Sequence, residues 1–548
     1  MELKKKSRDC QKAQELVLRD ILSISKDTEY GKKYHFQEIL NFSNERSLGD
    51  YYEELVPVNQ YEDIRPYIEK HKSGQENILF PGKPKFYDTT TSSANEIKWI
   101  PITEKYYNDV YTRMSPTWLY SFFAINRHIF EGAILFNLPK STEGVLPDGT
   151  PYGSLAAISQ SESPSFIKAM FSSTPEVFLI EDYKARYYAI MRIGIEQNVH
   201  IIASGSPSAL SQMINNADEF LDEYIKDIEH GTLSELVHIP EDTRAIIQSY
   251  LKPNPKRALV LSKLKKKYGR LLPKHYWPNL QVLNVWKSGN SAVQLKKIKG
   301  AFPETCLFTE FGFFMPECRP GIILDPNSDS TVIFPHKNYF EFVREKDLDL
   351  LKPKFFRLHE LRIGQRYSIF VTTYSGLYRY NMNDLVEVTG FYEQTPKVSF
   401  VKKTNGIVSI LGENLNENQF INAVGQVEKE FSKKLEFFVG FADVEKSLYY
   451  FYFEFVEQNI EESFLNRFVS RVDFVLKSNN IEYAEMRRSN RLAAPKGHLL
   501  KRHAFEVFKS RAIDKGLYDN KFKLSFLMQD EVHHEIFKKI AKRFFLKI

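Results

Sequence analysis

Residues 376–414 read GLYRYNMNDLVEVTGFYEQTPKVSFVKKTNGIVSILGEN, and this stretch decides how the chain is divided. A glycine turn and an aromatic, basic strand lead to a single acid, Asp384, and a second strand ends in a cationic segment, residues 402–406. This order predicts a nucleotide held where two domains join. We therefore expect an N-terminal domain over residues 1–402, a C-terminal domain over residues 403–548 and a hinge near 402–406.

The size and composition are typical of a multidomain globular protein. The chain has 548 residues, 43% of them hydrophobic and 26% charged, which predicts two to four domains. The net charge of +6 is small for this length, and basic residues alternate with acids, so no nucleic-acid partner is expected. The densest basic cluster, residues 263–267, has apolar residues near helical spacing and is interpreted as a solvated helix face.

The cysteine and hydropathy patterns indicate a cytoplasmic protein. Cys10, Cys306 and Cys318 form neither a metal-ligand spacing nor a disulfide framework. The N-terminal residues are charged and lack the apolar core of a secretory signal. The most apolar window, residues 118–138, is interrupted by Arg127 and other polar residues, so no membrane span is expected.

Hydrophobic spacing predicts a mixed α/β fold. Residues 9–25 form an amphipathic helix, and Asn59 is the predicted N-cap of a turn in the proline-flanked segment 56–67. Between residues 127 and 202, short apolar runs alternate with helical segments, which favours an α/β arrangement. Residues 280–286 form a buried strand followed by a turn of small residues.

The C-terminal part has a different character. Residues 447–456 form an aromatic strand, residues 461–476 an amphipathic helix, and residues 532–546 a basic amphipathic helix. Together they predict a small α+β domain of roughly 140 residues.

Several common sites are excluded. The chain has no GxxxxGK[ST] phosphate loop, no GxGxxG turn, no HExxH and no CxxC. Ser206 lacks the flanking glycines of a nucleophile elbow, so a plain loop is the better interpretation.

Four weaker signals remain, each with an alternative. The hydroxyl-rich loop at residues 89–93, with Lys98, could bind phosphate oxygens or be a polar surface turn. Glu310 interrupts an apolar run, and burying its carboxylate costs free energy unless it binds Mg²⁺ or a hydrogen-bond donor. The alternative is that the edge of the strand exposes Glu310 to solvent. Asp384 could accept two ribose hydroxyls or be an ordinary turn residue. Tyr106, with its neighbours Tyr107 and Tyr111, could line an acyl pocket or pack a helix.

In sequence, the chain resembles the auxin-responsive promoter (Gretchen Hagen 3) family of acyl acid amido synthetases, within the adenylate-forming superfamily. Five stretches carry the resemblance: Asp27–Gly31, residues 56–69, Ile228–Gly231, Trp277–Leu280 and residues 376–391. The resemblance implies a large N-terminal domain, with a β-barrel and flanking sheets and helices, and a small mobile α+β C-terminal cap.

The resemblance also implies a reaction. A carboxylic acid attacks ATP to give an acyl-adenylate, and an amine such as that of an amino acid then displaces AMP. The implied cofactors are ATP and Mg²⁺, because charge that develops on phosphate has to be stabilised. The acid, the amine and the oligomeric state cannot be read from the sequence.

The resemblance places the family's three nucleotide motifs on residues 90–98 (first), 309–310 (second) and 378–384 (third). Matched to the family, the chain has these candidate nucleotide-binding residues: Thr90, Thr91, Ser92, Ser93, Lys98, Thr309, Asp384 and Lys403. Glu310 is the implied metal ligand and, with Lys523, the implied catalytic residue. Lys403 matches the hinge position of the family.

The chain departs from the family pattern where glycines are expected. Thr91, Ala94 and Asn95 replace the glycines of the phosphate loop, and Asn383 replaces the glycine of the third motif. Glycine lets backbone approach phosphate closely and adopt positive φ. Two hypotheses therefore stand: an acyl-adenylate-forming ligase, or a non-catalytic member that binds an acyl or nucleotide ligand or a protein partner.

Overall fold

The computed structural model describes residues 2–41, 47–91, 97–287, 291–348, 350–404, 406–457, 459–504, 507–508, 526–529 and 531–541. The chain forms two compact units. One unit comprises Met1–Thr89 and Trp99–Lys402, and the other comprises Thr90–Lys98 and Lys403–Ile548. Each unit is described by itself below.

The N-terminal unit mixes helices and strands. Its helices are Glu2–Ser7 (α1), Cys10–Ser25 (α2), Glu29–Lys33 (α3), Phe36–Asn41 (α4), Leu48–Leu55 (α5), Tyr61–Lys72 (α6), Thr112–Ile125 (α7), Leu155–Ser161 (α8), Ser165–Lys168 (α9), Tyr183–Glu196 (α10), Pro207–Glu219 (α11), Leu221–His230 (α12), Glu241–Tyr250 (α13), Pro255–Tyr268 (α14), Pro273–Tyr276 (α15) and Ser291–Ile298 (α16). A π-helical segment, Tyr106–Tyr111, leads into α7, and 3₁₀ turns occur at Arg127–Glu131, Pro175–Leu179, Lys299–Ala301, Glu345–Asp347 and Leu358–Glu360.

The strands of this part of the chain belong to three sheets. They are Phe86–Thr91 (β1), Ile97–Ile102 (β2), Ala133–Asn137 (β3), Thr142–Val145 (β4), Pro151–Gly153 (β5), Val199–Ser204 (β6), Val282–Asn284 (β7), Leu307–Thr309 (β8), Gly321–Ile322 (β9), Thr331–Ile333 (β10), Tyr339–Arg344 (β11), Phe356–Arg357 (β12), Arg366–Thr372 (β13), Tyr380–Tyr392 (β14) and Thr395–Lys403 (β15). The sheet orders are β2-β1-β5-β4, β3-β6-β7-β8 and β12-β11-β13-β14-β15-β10-β9.

The largest of the three sheets has seven strands. Antiparallel pairing joins β11 to β12 and β13, β13 to β14, and β10 to β9 and β15. The N-terminal helices share its hydrophobic core, since Leu18, Tyr52 and Ile64 are buried in one cluster with Phe340 and Ile369. The first sixty residues are therefore an integral part of this core.

The sheet β3-β6-β7-β8 is parallel throughout, which confirms the α/β arrangement predicted for residues 127–202. Successive side chains of a strand point to opposite faces. Leu283 of β7 packs in a core shared with helices α10 to α12, and Val282 packs in a smaller cluster with Phe122 of α7. Both faces are thus covered, as a parallel sheet requires.

The second unit is an α+β domain. Its elements are the strands Ile407–Val408 (β16), Leu415–Asn416 (β17), Leu435–Asp443 (β18), Leu448–Phe455 (β19), Lys496–Leu499 (β20) and Leu527–Met528 (β21), and the helices Glu417–Phe431 (α17), Glu462–Asn479 (α18), Ile481–Arg488 (α19) and Glu531–Ile540 (α20). The main sheet has the order β20-β19-β18-β21. Alternate residues of the predicted aromatic strand fill two cores: Phe451 and Phe453 face Phe468 of α18, whereas Tyr450 and Tyr452 face Phe537 of α20.

Two local predictions for the N-terminal half are confirmed. The predicted first helix is α2, and Gly231 ends α12 with φ 71°, the left-handed conformation that suits a glycine after a helix. In the described part of the chain, no helix combines the length and the apolar character needed to cross a bilayer.

The predicted N-cap role of Asn59 is wrong. Gln60 precedes α6, while Asn59 is buried and bridges to Tyr380 at the start of β14. Its side-chain amide lies 2.9 Å from the hydroxyl of Tyr30 and 2.7 Å from the carbonyl oxygen of Tyr378. Its backbone N–H donates to the carbonyl of Arg379 over 3.1 Å. Asn59 thus fastens the early helices to the strand that carries the third motif.

We predict that Asn59→Ala destabilises the protein by about 2–3 kcal/mol, because it leaves buried acceptors without a donor. Asn108→Ala is the matched control: Asn108 is exposed and donates only to Glu104 in the same helical turn, so it should cost less than about 0.5 kcal/mol. Urea unfolding of both variants measures the difference. Equal costs would contradict the bridging role of Asn59.

Candidate functional site

The carboxyl edge of the parallel sheet gathers the residues of the second motif. Strands β7 and β8 pair in register, with Asn284 opposite Thr309, and Glu310 follows directly. In open α/β sheets, ligands bind beyond the carboxyl ends of the strands. The predicted nucleotide-binding Thr309, which is 1% exposed, and Glu310 therefore lie at the edge of the sheet where ligands are expected.

Glu310 is 7% exposed, so the alternative that a strand edge exposes it is wrong. Its carboxylate accepts a hydrogen bond from the backbone N–H of Lys287. The side chain of Lys287 donates to the carbonyl oxygen of Phe308 over 3.0 Å and forms an ion pair with Asp329. A buried carboxylate is stable in such surroundings because a backbone donor and a nearby cation offset its desolvation. The sequence did not single out Lys287, although it identified the turn that Lys287 begins.

Glu310 fits a magnesium ion held mainly by substrate. Within the described ranges, no group of three or more His, Cys, Asp or Glu side chains could hold a metal ion by itself. Mg²⁺ is commonly held by one or two carboxylates together with waters and substrate phosphates. The single buried carboxylate of Glu310 suits that mode of binding. It does not suit a site in which protein side chains supply all the metal ligands.

The predicted phosphate loop joins two neighbouring strands. Thr90 and Thr91 end β1, and Lys98 is the second residue of β2, where it is half-buried. Ser92 and Ser93 lie outside the described residues, as do the side chains of Thr90 and Thr91. The phosphate-binding role of this loop stays a prediction.

Asp88 stands two residues before Thr90 and was missed by the sequence analysis, although an acid inside the aromatic strand FYDTTT is a signal. It is 8% exposed and accepts a hydrogen bond from the backbone N–H of Leu155 over 3.2 Å. Burial is the main cause that raises the pKa of Asp88 to about 7, with smaller contributions from the charges of Glu317 and Glu143. The strand that leads to the loop therefore contains a buried carboxyl group whose pKa is raised to about 7.

The third motif forms an irregularity in β14. Ser368 of β13 pairs with Leu385 and Phe370 pairs with Asn381, so the three residues 382–384 lie opposite Ile369 alone. Asn383 within this bulge has φ 55°. Asparagine tolerates that left-handed conformation better than most residues, so it can stand where the family has glycine. Bulges of this kind often occur next to active sites.

Asp384 lies in the same bulge and is 0% exposed. The alternative that Asp384 is a turn residue is wrong, because it lies within strand β14. The thiol of Cys318 is close: burial and then the charges of Glu317 and Asp384 raise the pKa of that thiol well above its usual range. Because the carboxylate is closed to solvent, contact with ribose hydroxyls requires the bulge to open. Ribose binding by Asp384 stays a prediction.

The roles of the two remaining predicted site residues, Lys403 and Lys523, stay predictions. Lys403 is the last residue of β15 and the first of the long segment of the second unit. Lys523 lies outside the described residues, and its catalytic role stays a prediction.

The tyrosines proposed for an acyl pocket are packed in the core. Tyr106, Tyr107 and Tyr111 are 1%, 3% and 4% exposed. The hydroxyl of Tyr106 accepts the backbone N–H of Arg319 over 2.9 Å, and the ring of Tyr111 lies edge-on to Phe314 at 5.5 Å. Packing of the helix is therefore the better interpretation of these residues.

We predict that Asp88→Asn makes stability less dependent on pH. A carboxyl whose pKa is raised in the folded state stabilises the fold below about pH 4, and this contribution is lost as the pH rises to about 7. Asparagine keeps the acceptor for Leu155 and does not ionise. The difference in melting temperature, Asp88→Asn minus wild type, should increase from pH 5 to pH 8. The same difference for Asp242→Asn, a change at an exposed position, should stay constant over this range. A constant difference would contradict the buried titration.

We predict that Asn383→Val destabilises the protein by about 1–2 kcal/mol, because a β-branched residue is strained at positive φ. Asn383→Gly should cost less than about 1 kcal/mol, since glycine adopts this conformation freely. Lys397→Val, at a strand position without positive φ, is the control and should be nearly neutral. Chemical denaturation ranks the three variants. A valine variant as stable as the glycine variant would show that the bulge relaxes.

Comparison with known proteins gives relatives along most of the chain. An indole-3-acetic acid-amido synthetase GH3.3 of Arabidopsis thaliana is 26% identical over 441 residues, covering 75% of this chain and 70% of the relative. A probable indole-3-acetic acid-amido synthetase GH3.11 of Oryza sativa subsp. japonica is 28% identical over 460 residues, covering 77% and 73%. A jasmonoyl-L-amino acid synthetase JAR4 of Nicotiana attenuata is 26% identical over 454 residues, covering 78% and 76%.

Solved structures share the fold. The GH3.15 acyl acid amido synthetase matches with a TM-score of 0.64 and 21% identity, covering 99% of this chain and 95% of that one. A 2-hydroxyisobutyryl-CoA ligase in complex with 2-HIB-AMP and CoA matches with a TM-score of 0.50 and 13% identity, covering 96% and 91%. These likenesses confirm the mixed α/β architecture.

Three family domains account for most of the sequence. The GH3 family N-terminal domain matches residues 1–307, the central domain residues 331–403 and the C-terminal domain residues 418–532. These matches confirm the resemblance found in the sequence. The chain belongs to the GH3 family.

Proposed function

We propose that the protein is an ATP-dependent acyl acid amido synthetase, which activates a small carboxylic acid as an acyl-adenylate and transfers the acyl group to the amine of an amino acid. Membership of the GH3 family and the names of the relatives support the reaction class. The structural observation that carries the proposal is Glu310, a buried carboxylate at the carboxyl edge of the parallel sheet.

The first step makes a poor acyl donor reactive. A carboxylate oxygen of the acid attacks the α-phosphorus of ATP, the bond from that phosphorus to the bridging oxygen breaks, and pyrophosphate leaves. Negative charge develops on phosphate oxygens, and a magnesium ion would neutralise part of it. Glu310 would hold that ion, while Lys98 and the backbone at the ends of the loop would add positive charge and donors.

The second step forms the amide. The amine nitrogen attacks the acyl carbonyl carbon, the bond from that carbon to the phosphate oxygen breaks, AMP leaves and the amine loses a proton. Adenylation serves this step because AMP is a far better leaving group than hydroxide. Asp384 is our candidate for the ribose hydroxyls, Lys403 for the hinge of the C-terminal domain, and Lys523 for the catalytic lysine.

A cytoplasmic location is also proposed. Cys10, Cys306 and Cys318 are buried free thiols. Unpaired cysteines of this kind suit a reducing compartment.

A second candidate function is binding without turnover. The observation that favours it is the chemistry of the phosphate loop, where Thr91, Ala94 and Asn95 replace glycines. The complete burial of Asp384 points the same way. In this case the protein binds an acyl or nucleotide ligand, or a protein partner, and forms no adenylate.

We predict that wild-type protein catalyses exchange of labelled pyrophosphate into ATP with at least one acid from a panel of apolar carboxylic acids. Glu310→Gln removes the negative charge and keeps an acceptor for the N–H of Lys287, so it should lower exchange on the order of 100-fold. Glu304→Gln, an exposed position in the preceding turn, should retain full exchange.

Two results would contradict different parts of this proposal. Absence of exchange with every acid, together with ATP binding in calorimetry, would favour the binding protein. Full exchange by a folded Glu310→Gln variant would remove the proposed metal role of Glu310 while leaving the reaction class intact.

A further inference from the structure

The N-terminal unit contains a cavity of about 650 Å³, within the range of roughly 300–1,000 Å³ that is usual for small-molecule sites. Its wall includes residues 171–175, which extend the parallel sheet beside β3, since Ser172 donates its backbone N–H to the carbonyl of Ile134 over 2.9 Å. Gln197 also lines the cavity and donates its side-chain amide to the carbonyl of Ser172 over 2.9 Å.

The cavity lies at the amino edge of the sheet. Gln197 stands two residues before β6, and Ile134 is the second residue of β3. Glu310, by contrast, follows β8 at the carboxyl edge. The six residues of β6, at roughly 3.3 Å each, separate the two edges. The cavity is therefore separate from the candidate active site.

One part of the wall is apolar. Ile193 of α10 and Ile247 of α13 line the cavity and belong to the hydrophobic core. Phe171 packs its ring edge-on against Phe136 at 4.8 Å, which fixes its position. Tyr250 also lines the cavity but is an exposed residue, so the cavity is open to solvent near the end of α13. The apolar body of a ligand would leave water on entering this part of the wall.

Two buried hydroxyl groups in the wall lack partners. Neither Oγ of Ser172 nor Oγ1 of Thr174 has a hydrogen-bond partner among the described residues, and Ser172 is 6% exposed. Most buried polar groups in native proteins are hydrogen-bonded, because an unpaired one loses water and gains nothing. A hydroxyl can donate to an oxygen atom of a ligand. The two hydroxyls therefore indicate that a polar group of a ligand lies against residues 172–174.

The charges in the wall favour an anion. Lys168, the last residue of α9, and Lys252, two residues after α13, line the cavity, and neither is paired with an acid in the described part of the chain. Glu196 also lines it, but its carboxylate accepts hydrogen bonds from Arg192 over 2.7 Å and from Asn254 over 3.1 Å. The negative charge of Glu196 is thus already offset, whereas the two lysine charges are not.

We propose that this cavity is a second ligand site, which binds a small carboxylic acid with an apolar body. The carboxylate lies near Lys168 and Lys252, the hydroxyls of Ser172 and Thr174 donate to oxygen atoms of the ligand, and the apolar body lies against Ile247. Binding here needs neither ATP nor an adenylate, so the site goes beyond the function proposed above. Two sources share this chemistry: the free acid that the proposed enzyme activates and the N-acyl amino acid that it releases.

The wall favours this class of ligand over others. A metal ion or an organic cation would face two lysine ammonium groups. A polyphosphate carries more negative charge than the two lysines offset, and it would place that charge against an apolar surface, which costs free energy. A monoanion with an apolar body suits the lysines, the hydroxyls and the apolar part of the wall together.

The test is calorimetric binding of three probes to the full chain: 1-naphthylacetate, its neutral amide 1-naphthylacetamide, and N-(1-naphthylacetyl)glycine. The double variant Lys168→Gln/Lys252→Gln should weaken binding of the two carboxylates about 5-fold and leave binding of the neutral amide unchanged. Thr174→Val should weaken binding of the carboxylates about 5-fold and keep the melting temperature, because its hydroxyl bonds to no described group. Lys256→Gln, an exposed lysine of α14, is the charge control and should bind all three probes as wild type does.

A larger side chain at Ile247 provides a second test. Ile247→Trp fills part of the cavity and should abolish binding at this site. The matched control is Ile246→Trp, the neighbouring exposed position of α13, which should bind as wild type does. If Ile247→Trp fails to fold, the lysine and threonine variants still decide, since they remove no hydrogen bond or ion pair between described residues.

The proposal is overturned if wild type binds none of the probes, if the lysine variant weakens the carboxylates and the neutral amide equally, or if it weakens neither. Tighter binding of the acylglycine than of the free acid would identify the product class as the ligand, and the reverse order would identify the free acid. Pyrophosphate exchange by the lysine variant should equal that of wild type, and its loss would overturn the separation from the active site. Failed exchange by wild type with the predicted binding pattern would reject only the proposed reaction.

Discussion

The N-terminal unit depends on one buried carboxylate, Glu341, which is 1% exposed and held between two arginines. The Nε of Arg379 lies 3.1 and 3.0 Å from its two oxygens, and Arg357 donates to it over 2.9 Å. Arg379 also donates to the backbone carbonyls of Glu53 and Val56. Removing one partner of such a group leaves an uncompensated buried charge, which costs about 3–5 kcal/mol. The arrangement therefore locks β11, β14 and the early helices in one geometry.

The third motif follows from that lock. Arg379 immediately precedes β14 and has φ 42°, and Asn59 pairs with the backbone on either side of Tyr380. Arg379 and Asn59 fix the start of β14. The bulge that contains Asp384 follows a few residues later in the same strand. Arg379 of the motif is thus a structural anchor, and the ligand role of Asp384 stays a prediction.

The second motif is built on a different constraint. Parallel pairing of β6, β7 and β8 brings residues distant in the chain to one edge, where Thr309 lies opposite Asn284 and Glu310 follows directly. The sequence predicted β7 and the acid that follows β8, because apolar runs and an isolated charge are visible locally. The partnership of Lys287 with Glu310 was not predicted, since it depends on the register between two strands. The N-cap prediction for Asn59 failed for the same reason. A cap is a local pattern, whereas the side chain of Asn59 also bonds to Tyr378, which lies 319 residues away in the chain.

The sequence by itself determined many of the helices and strands and the family. The amphipathic first helix, the aromatic strand of the C-terminal domain, the glycine that ends α12 and the ordered motifs all follow from local spacing and residue type. Tertiary structure alone decided which acids are buried and that Asn383 occupies a left-handed position. Burial and hydrogen bonding belong to the assembled core, because the atoms that surround a side chain come from segments far apart in the chain.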